Sequence, residues 1–207
     1  MKIFKSKNNG ILIVLSAPSG CGKTTVEKRL LNKVPRLKRS ISYTTRQKRK
    51  GERNGKDYFF VTKEAFLKKR KERRFLEWAK VFGNYYGTPK DFVLNTIKGG
   101  HDILLTIDVQ GAQKIKSKLK KGIYIFLLPP SLPILRKRLL KRKTDIKKEI
   151  HKRISQARVE IRAAFSYDYL VINDSVETAV DTIIEIINAE KHKITYNKEV
   201  LRGICSS

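Results

Sequence analysis

Acidic residues are scarce in this chain. Nineteen Asp and Glu stand against 47 Lys and Arg, for a formal net charge of +28. A surface this poor in carboxylate attracts polyanions such as nucleic acid or acidic membrane. The basic residues, however, are spread over nearly every polar face, and no RNA-binding aromatic signature accompanies them. The charge therefore reads as a lysine-heavy surface rather than a dedicated nucleic-acid site, and anionic nucleotides give part of it a use. Cysteine is also rare. Cys21 and Cys205 are the two present, and they form neither a metal-ligand spacing nor a disulfide framework. A reducing cytosol fits that usage, and the expected location is cytoplasmic. No apolar run is long enough to span a membrane. Lys2, Lys5 and Lys7 ahead of Ile11–Leu15 mimic a secretory signal, but five apolar residues are too few for its hydrophobic core. Internal repeats and low-complexity linkers are missing as well.

What is present begins with Ala17-Pro18-Ser19-Gly20-Cys21-Gly22-Lys23-Thr24. It follows the apolar run Ile11–Leu15 and precedes a helix-like segment. A strand, a glycine-bearing loop ending in Gly-Lys-Thr and then a helix make the setting of a phosphate-binding P-loop. Backbone N–H groups of such a loop cradle phosphate oxygens, and the helix N-terminus adds positive potential. Lys23 is placed to reach the β- and γ-phosphates of a nucleoside triphosphate, and the Thr24 hydroxyl to ligate Mg²⁺. The first glycine of the usual pattern is Ala17 here, which is tolerated unless φ must be positive.

At 207 residues, with 40% hydrophobic content, the chain suits one α/β domain with an insertion. Ile11–Leu15, Ile103–Ile107, Ile123–Leu128 and Tyr169–Ile172 read as buried parallel strands, with Ser40–Tyr43 a further candidate. Helix-like segments fall at about 23–33, 110–120, 132–141, 147–166 and 176–191. Ser131 is a candidate N-cap with Pro133 in the first turn, and Asp174-Ser175-Val176-Glu177 resembles a capping box. This alternation predicts a doubly wound parallel sheet of about five strands. Residues 38–96 break it and read as an inserted, mainly antiparallel subdomain. Turn chemistry at 51–55, strand-like Tyr58–Val61, a short helix near 63–73 and strand-like Phe75–Phe82 make it up, and 83–87 close it. The core is then 10–37 and 97–190, and 195–207 reads as a tail.

A P-loop alone names only a nucleoside triphosphate, so the second substrate must be sought in the insertion. Arg46 and Arg49 form a candidate two-pronged anion clamp, because guanidinium binds phosphate bidentately. Tyr58 and Tyr86 are candidate hydroxyl donors to the same phosphate. Glu77, between Leu76 and Trp78, is a candidate base reader. Guanine offers N1–H and N2–H side by side to one carboxylate, and adenine offers no such pair, which leaves a buried carboxylate unpaired. Taken singly, each of these residues reads equally as ordinary surface.

Taken together they resemble the guanylate kinase family. The matching pieces are Ser16 through Lys23, Ser42 through Arg46 with Arg49, Gly51-Glu52, and Asn54 through Tyr58. Further on come Phe75 through Ala79, Gly83 through Thr88, Asp108 through Gly111, and Val171 through Asp174. In order and spacing they cover about residues 11–190. The resemblance implies a phosphotransferase that makes GDP from GMP with ATP and Mg²⁺, with dGMP a further acceptor. It also implies a helical lid at about 137–153. Ser42, Glu77 and Asp108 match residues that read guanine. Arg46, Arg49, Tyr58 and Tyr86 match residues that hold the GMP phosphate, and Thr88 a small hydroxyl residue near the base. Ala17 to Thr25 match the ATP loop, and Asn173 a residue near adenine. Arg142 and Arg153 match arginines of the lid and the following helix that approach the moving phosphoryl group. Lys23, Arg46, Arg142 and Arg153 are thus the implied catalytic set. Two departures stand out: Thr106 replaces the first Asp of the family's Asp-x-Asp, and Lys143 replaces a glycine after Arg142.

No general base is evident, and there are three histidines in all. None is needed, because the acceptor phosphate is already anionic. Catalysis by alignment and charge neutralisation is expected. Three alternatives remain at this level: an inactive interaction module of the same fold, a nucleic-acid-binding protein, and a nucleotide kinase of shifted acceptor specificity. The oligomeric state is left open.

Overall fold

The computed structural model describes residues 10–119, 121–140 and 147–206. Two sheets organise the chain. The first has five parallel strands in the order β2-β7-β1-β8-β9: β1 (Leu12–Ser16), β2 (Lys38–Arg39), β7 (Ile103–Thr106), β8 (Ile123–Leu128) and β9 (Tyr169–Ile172). β1 lies at its centre, with Leu12 opposite Ile103 on one side and Ile13 opposite Ile123 on the other. All five residues of β1 are buried, as expected of a strand covered on both faces. Its side chains alternate between two cores. Ile13 and Leu15 enter one, with Leu30 of α1 (Lys23–Lys33) and Ile183 of α7 (Val176–Lys191). Leu12 and Val14 enter the other, with Val93 of α3 (Lys90–Lys98) and Ile115 of α4 (Val109–Lys118). The parallel sheet with helices on both faces is the doubly wound architecture that the alternating pattern predicts.

The second sheet lies inside the predicted insertion, in the order β4-β3-β6-β5. β3 (Tyr43–Thr44) and β4 (Phe59–Phe60) pair in parallel, while β3–β6 and β5–β6 are antiparallel. β5 (Phe75–Val81) and β6 (Asn84–Pro89) form a hairpin, and α2 (Lys63–Lys71) covers it. Phe66 of α2 stacks on Phe75 and Tyr85 with ring centroids 4.6 and 5.4 Å apart, giving this layer its own aromatic core.

Three expectations need correction, and one helix is additional. Ser40–Tyr43 is not one strand. Residues 38–39 add to the core sheet, 43–44 belong to the second, and the segment between crosses over. Residues 83–87 do not close the insertion. Gly83 has φ 83° and makes the turn, and 84–89 return as β6. The helix α3 was not predicted. The expected tail is helical over α8 (Ile194–Cys205). The cap of α7 is Ser175, whose hydroxyl accepts from the Thr178 amide at 3.0 Å. Ser131 likewise caps α5 (Leu132–Leu140), accepting from the Ile134 amide at 3.3 Å. α6 runs over Lys147–Arg162. Among the described residues no helix is long and apolar enough to cross a membrane.

Candidate active site

The carboxyl ends of the parallel strands point one way, and ligands of such sheets bind there, where the strand order reverses. Three of the segments that leave that edge are the loop after β1, Asp108 after β7 and Asn173 after β9. In the first, Gly22 sits at φ 84° as the N-cap of α1. Its carbonyl accepts from the amides of Thr25 and Val26 at 2.9 and 3.0 Å. A Cβ at Gly22 would lie 2.6 Å from Asn173 Nδ2, so both the backbone and the space demand glycine. The amides of Lys23 and Thr24, ahead of those of Thr25 and Val26, have no intrahelical acceptor and suit an anionic ligand. Lys23 folds back to donate its Nζ to the Ile107 carbonyl at 2.9 Å. Burial pulls its pKa below the ordinary lysine value, and the charges of Asp108 and Glu160 oppose that pull.

Asp108 is the N-cap of α4, its Oδ1 accepting from Gln110 and Gly111 amides at 2.9 and 3.1 Å. Facing it from the second sheet is Glu77, 4% exposed. Thr88 donates its hydroxyl to Glu77 Oε1 at 2.5 Å, while Oε2 is buried with no protein partner. Burial raises the Glu77 pKa to about 7, and the neighbouring Asp108 adds to the rise against the Thr88 hydrogen bond.

Arg46 is held fork to fork by Glu52. Its Nη1 donates to Oε2 at 3.0 Å and its Nη2 to Oε1 at 2.7 Å. The Arg49 amide donates to the same carboxylate at 2.7 Å. Burial would raise the Glu52 pKa, but these donors hold it below the usual carboxylate value. The Arg46 guanidinium stands 5.5 Å from the Tyr58 ring centroid, and Tyr58 packs edge-on against Tyr86 at 6.0 Å. Burial pushes the Tyr58 phenol up to about 12, so it stays a proton donor through neutral pH.

A cavity of about 400 Å³ joins these groups. Ala17, Pro18, Ser19, Gly20, Gly22, Lys23 and Thr24 line one side, and Ser42, Arg46, Arg49, Tyr58, Glu77 and Tyr86 the other, with Asp108 and Arg153 between. A phosphate cradle, an arginine pair and an open buried carboxylate on one cavity describe a site for two nucleotides. The model of a family described as Guanylate kinase matches residues 9–190. The chain belongs to the guanylate kinase family. Guanylate kinase from Caldanaerobacter subterraneus subsp. tengcongensis is 50% identical over 194 residues, 94% of each chain. That of Wolbachia pipientis is 48% identical over 90% of this chain and 94% of its own. The crystal structure of guanylate kinase from Anaplasma phagocytophilum superposes with a TM-score of 0.77 at 35% identity, covering 92% of each chain.

Cys21, Thr25, Thr88 and Asn173 do not line the cavity. Thr88 is fully buried and acts on Glu77 from behind. The Asn173 amide is buried and donates to the Cys21 carbonyl at 2.7 Å, against the phosphate loop. Arg142 and Lys143 lie outside the described residues, in the stretch 141–146 of the expected lid. Arg153 of α6 is described: its Nη1 donates to Ser19 Oγ at 3.3 Å, and its guanidinium is 5.7 Å from the Phe82 ring at the β5–β6 turn.

Sequence reasoning missed Phe82, Glu160 and the support that Glu52 gives Arg46. Glu160 lines the cavity from α6. It accepts from Gln156 Nε2 at 3.3 Å, and burial raises its pKa. Gly51-Glu52 enters only as a piece of the family resemblance, with no role attached to the carboxylate.

Proposed function

We infer that the chain is an ATP:GMP phosphotransferase, forming ADP and GDP, with dGMP as a second acceptor. The observation that carries this reading is Glu77. A buried carboxylate with one oxygen held by Thr88 and the other unpaired calls for a ligand with adjacent N–H donors, and guanine supplies N1–H and N2–H. Adenine would leave that oxygen buried and unpaired, a loss of roughly 1–3 kcal/mol. Ser42 and Asp108 complete the base pocket in this reading.

The donor triphosphate lies along Ala17–Thr25, with Lys23 on its outer phosphates. Thr24, the second residue of α1, lines the cavity, and Asp108 adds a carboxylate to the same space. Hard oxygen donors of this kind suit Mg²⁺, which prefers one or two protein oxygens beside phosphate and water. Bound there, the ion neutralises phosphate charge. Arg46 and Arg49, with Tyr58 and Tyr86, hold the GMP phosphate in line. An oxygen of that phosphate bonds to the terminal phosphorus of ATP as the bond from phosphorus to the leaving ADP oxygen breaks. No proton need be removed from the acceptor. Lys23 and Arg153, with Arg142 from the lid, stabilise the charge in transit. An arginine so placed contributes ~10³-fold or more in rate. Asn173 supports the ATP loop. Substrates of this kind place the reaction in the cytoplasm, and the positive surface serves anionic substrates, not a specific nucleic acid.

The test is ADP formation with ATP and Mg²⁺, offering GMP, dGMP, AMP, CMP and UMP in parallel. Turnover restricted to GMP and dGMP is expected. Comparable turnover of AMP would remove Glu77 from its role, and no turnover from folded protein would favour the inactive interaction module.

A further inference from the structure

The GMP-phosphate side of the cavity and the ATP loop belong to different sheets, yet one side chain ties them together. Arg39 ends β2, at the edge of the core sheet. Its Nε donates to Glu27 Oε1 at 2.7 Å. Its Nη1 donates to the Lys56 carbonyl at 2.6 Å and its Nη2 to the Asp57 carbonyl at 3.2 Å. Glu27 lies on α1, one turn beyond Lys23, and is 3% exposed. Tyr58 directly follows the two gripped carbonyls. The turn that carries them is closed on itself, with the Asp57 amide on the Arg53 carbonyl at 2.9 Å and the Gly55 amide on the Tyr58 carbonyl at 2.8 Å. Its outward carbonyls are therefore the handle by which it is fixed to the core.

A planar guanidinium can satisfy three acceptors from one position, whereas an ammonium on a flexible stem cannot reproduce that fork. A carboxylate as buried as Glu27 needs a charged partner, so the anchor cannot slide. Glu27 is also close enough for its charge to act on both Lys23 and Tyr58. One pair, a buried carboxylate and a half-buried guanidinium, thus stands between the group assigned to the ATP phosphates and a group assigned to the GMP phosphate.

We propose that Arg39, anchored by Glu27, is a positioning residue for the acceptor: it sets the place of Tyr58 and so of the GMP phosphate relative to the ATP loop. This rests on the phosphotransferase reading above and extends it to a pair that touches neither substrate. A mere brace would change stability alone, or affect both substrates alike. A positioning residue changes the acceptor terms and acts through Tyr58.

Steady-state rates with ATP and GMP, together with thermal midpoints, separate the cases. The variants are Arg39→Lys, Glu27→Gln, Tyr58→Phe and the double variant R39K/Y58F. Arg39→Lys keeps the charge against Glu27 and loses the fork. It is expected to raise KM for GMP about tenfold, from two charge-assisted hydrogen bonds lost, with KM for ATP within about twofold of wild type. Glu27→Gln leaves the carbonyl bonds and is expected to shift KM for GMP less, in the same direction. In the Tyr58→Phe background the Arg39→Lys effect should shrink, because coupled sites are not additive. Wild-type KM for GMP in folded Arg39→Lys, equal shifts for both substrates, or full additivity with Tyr58→Phe would each overturn the proposal. If Arg39→Lys does not fold, an unchanged KM for GMP in Glu27→Gln would overturn it. Were the wild-type chain to phosphorylate no GMP, the phosphotransferase reading itself would fall, and this proposal with it.

Discussion

The Asn173 side-chain amide, at the end of β9, donates to the main-chain oxygen of Cys21 in the phosphate loop at 2.7 Å. The link spans 152 residues of sequence and holds the loop from behind. Arg138 of α5 fixes the far side, donating to the Asn173 carbonyl at 3.0 Å. The loop that receives ATP in the proposed reaction is thus shaped partly by a residue far away in the sequence but on the same edge of the sheet.

Asn173→Ala should therefore loosen the ATP loop without touching acceptor groups. A buried hydrogen bond is worth about 1 kcal/mol, equivalent to roughly a fivefold rise in KM for ATP and a fall of about 2–4 °C in thermal midpoint. KM for GMP should hold within about twofold. A titration of ATP at saturating GMP decides it, and an unchanged KM for ATP would remove Asn173 from the support of the loop.

Glu52 orients Arg46 as Asn173 orients the loop. Its two oxygens take the Nη1 and Nη2 donors, which fixes the plane of the guanidinium where it lines the cavity. Glu52→Gln breaks the bidentate pair, and KM for GMP should rise about tenfold, the equivalent of one charge-assisted bond, with KM for ATP little changed. Acceptor kinetics equal to wild type would mean that Arg46 is held well enough by the Gln47 carbonyl, 2.7 Å from Nη1.

Gly111 in the first turns of α4 is required by close approach. A Cβ there would lie 2.8 Å from Glu77 Oε2. Gly111→Ala must push that carboxylate aside or displace the helix. Helix propensity favours alanine by about 1 kcal/mol, so a fall in thermal midpoint would measure the collision. KM for GMP should rise together with it. A more stable variant with normal GMP kinetics would show that Glu77 yields freely.

Much of this was legible in the sequence because the signals were local. Gly22-Lys23-Thr24 needs a strand before and a helix after, and the apolar run Ile11–Leu15 and the segment from Lys23 supplied both. Boundaries in the core came close for the same reason, buried strands being continuous apolar runs. The insertion was harder. The strands β2, β3 and β4 have two residues each, too short for any period to register, and β6 was hidden by glycines that look like a loop. Contacts of long sequence separation carried no signal. Nothing in the order of residues brings Arg153 to Ser19, or Glu160 toward Lys23. Asn173 was legible only by resemblance, and its hydrogen bond to the Cys21 carbonyl, 152 residues away, left no mark in the sequence.

The last prediction concerns pH and turns on Glu77, whose carboxyl is raised by burial from 4.5 to about 7. In the proposed pocket the guanine N–H donors bind the ionised form. Below about pH 7 the empty site holds a proton that GMP must displace, so affinity should fall toward tenfold per pH unit as the pH drops. Above 7 it should level off. The GMP phosphate titrates near 6 as well, and Glu77→Gln, which keeps only that dependence, is the control. Stability has the opposite sign. The folded state holds this proton more tightly than the unfolded chain does. The stability Glu77 contributes is therefore full below about 4.5 and is lost as pH rises toward 7. Glu77→Gln should accordingly gain on wild type between pH 5 and 8, by up to about 3 kcal/mol for a shift of this size. Calorimetric GMP titrations and thermal midpoints across that range test both signs. Parallel pH profiles for the two proteins would mean that Glu77 is ionised throughout and that its unpaired oxygen has found another partner.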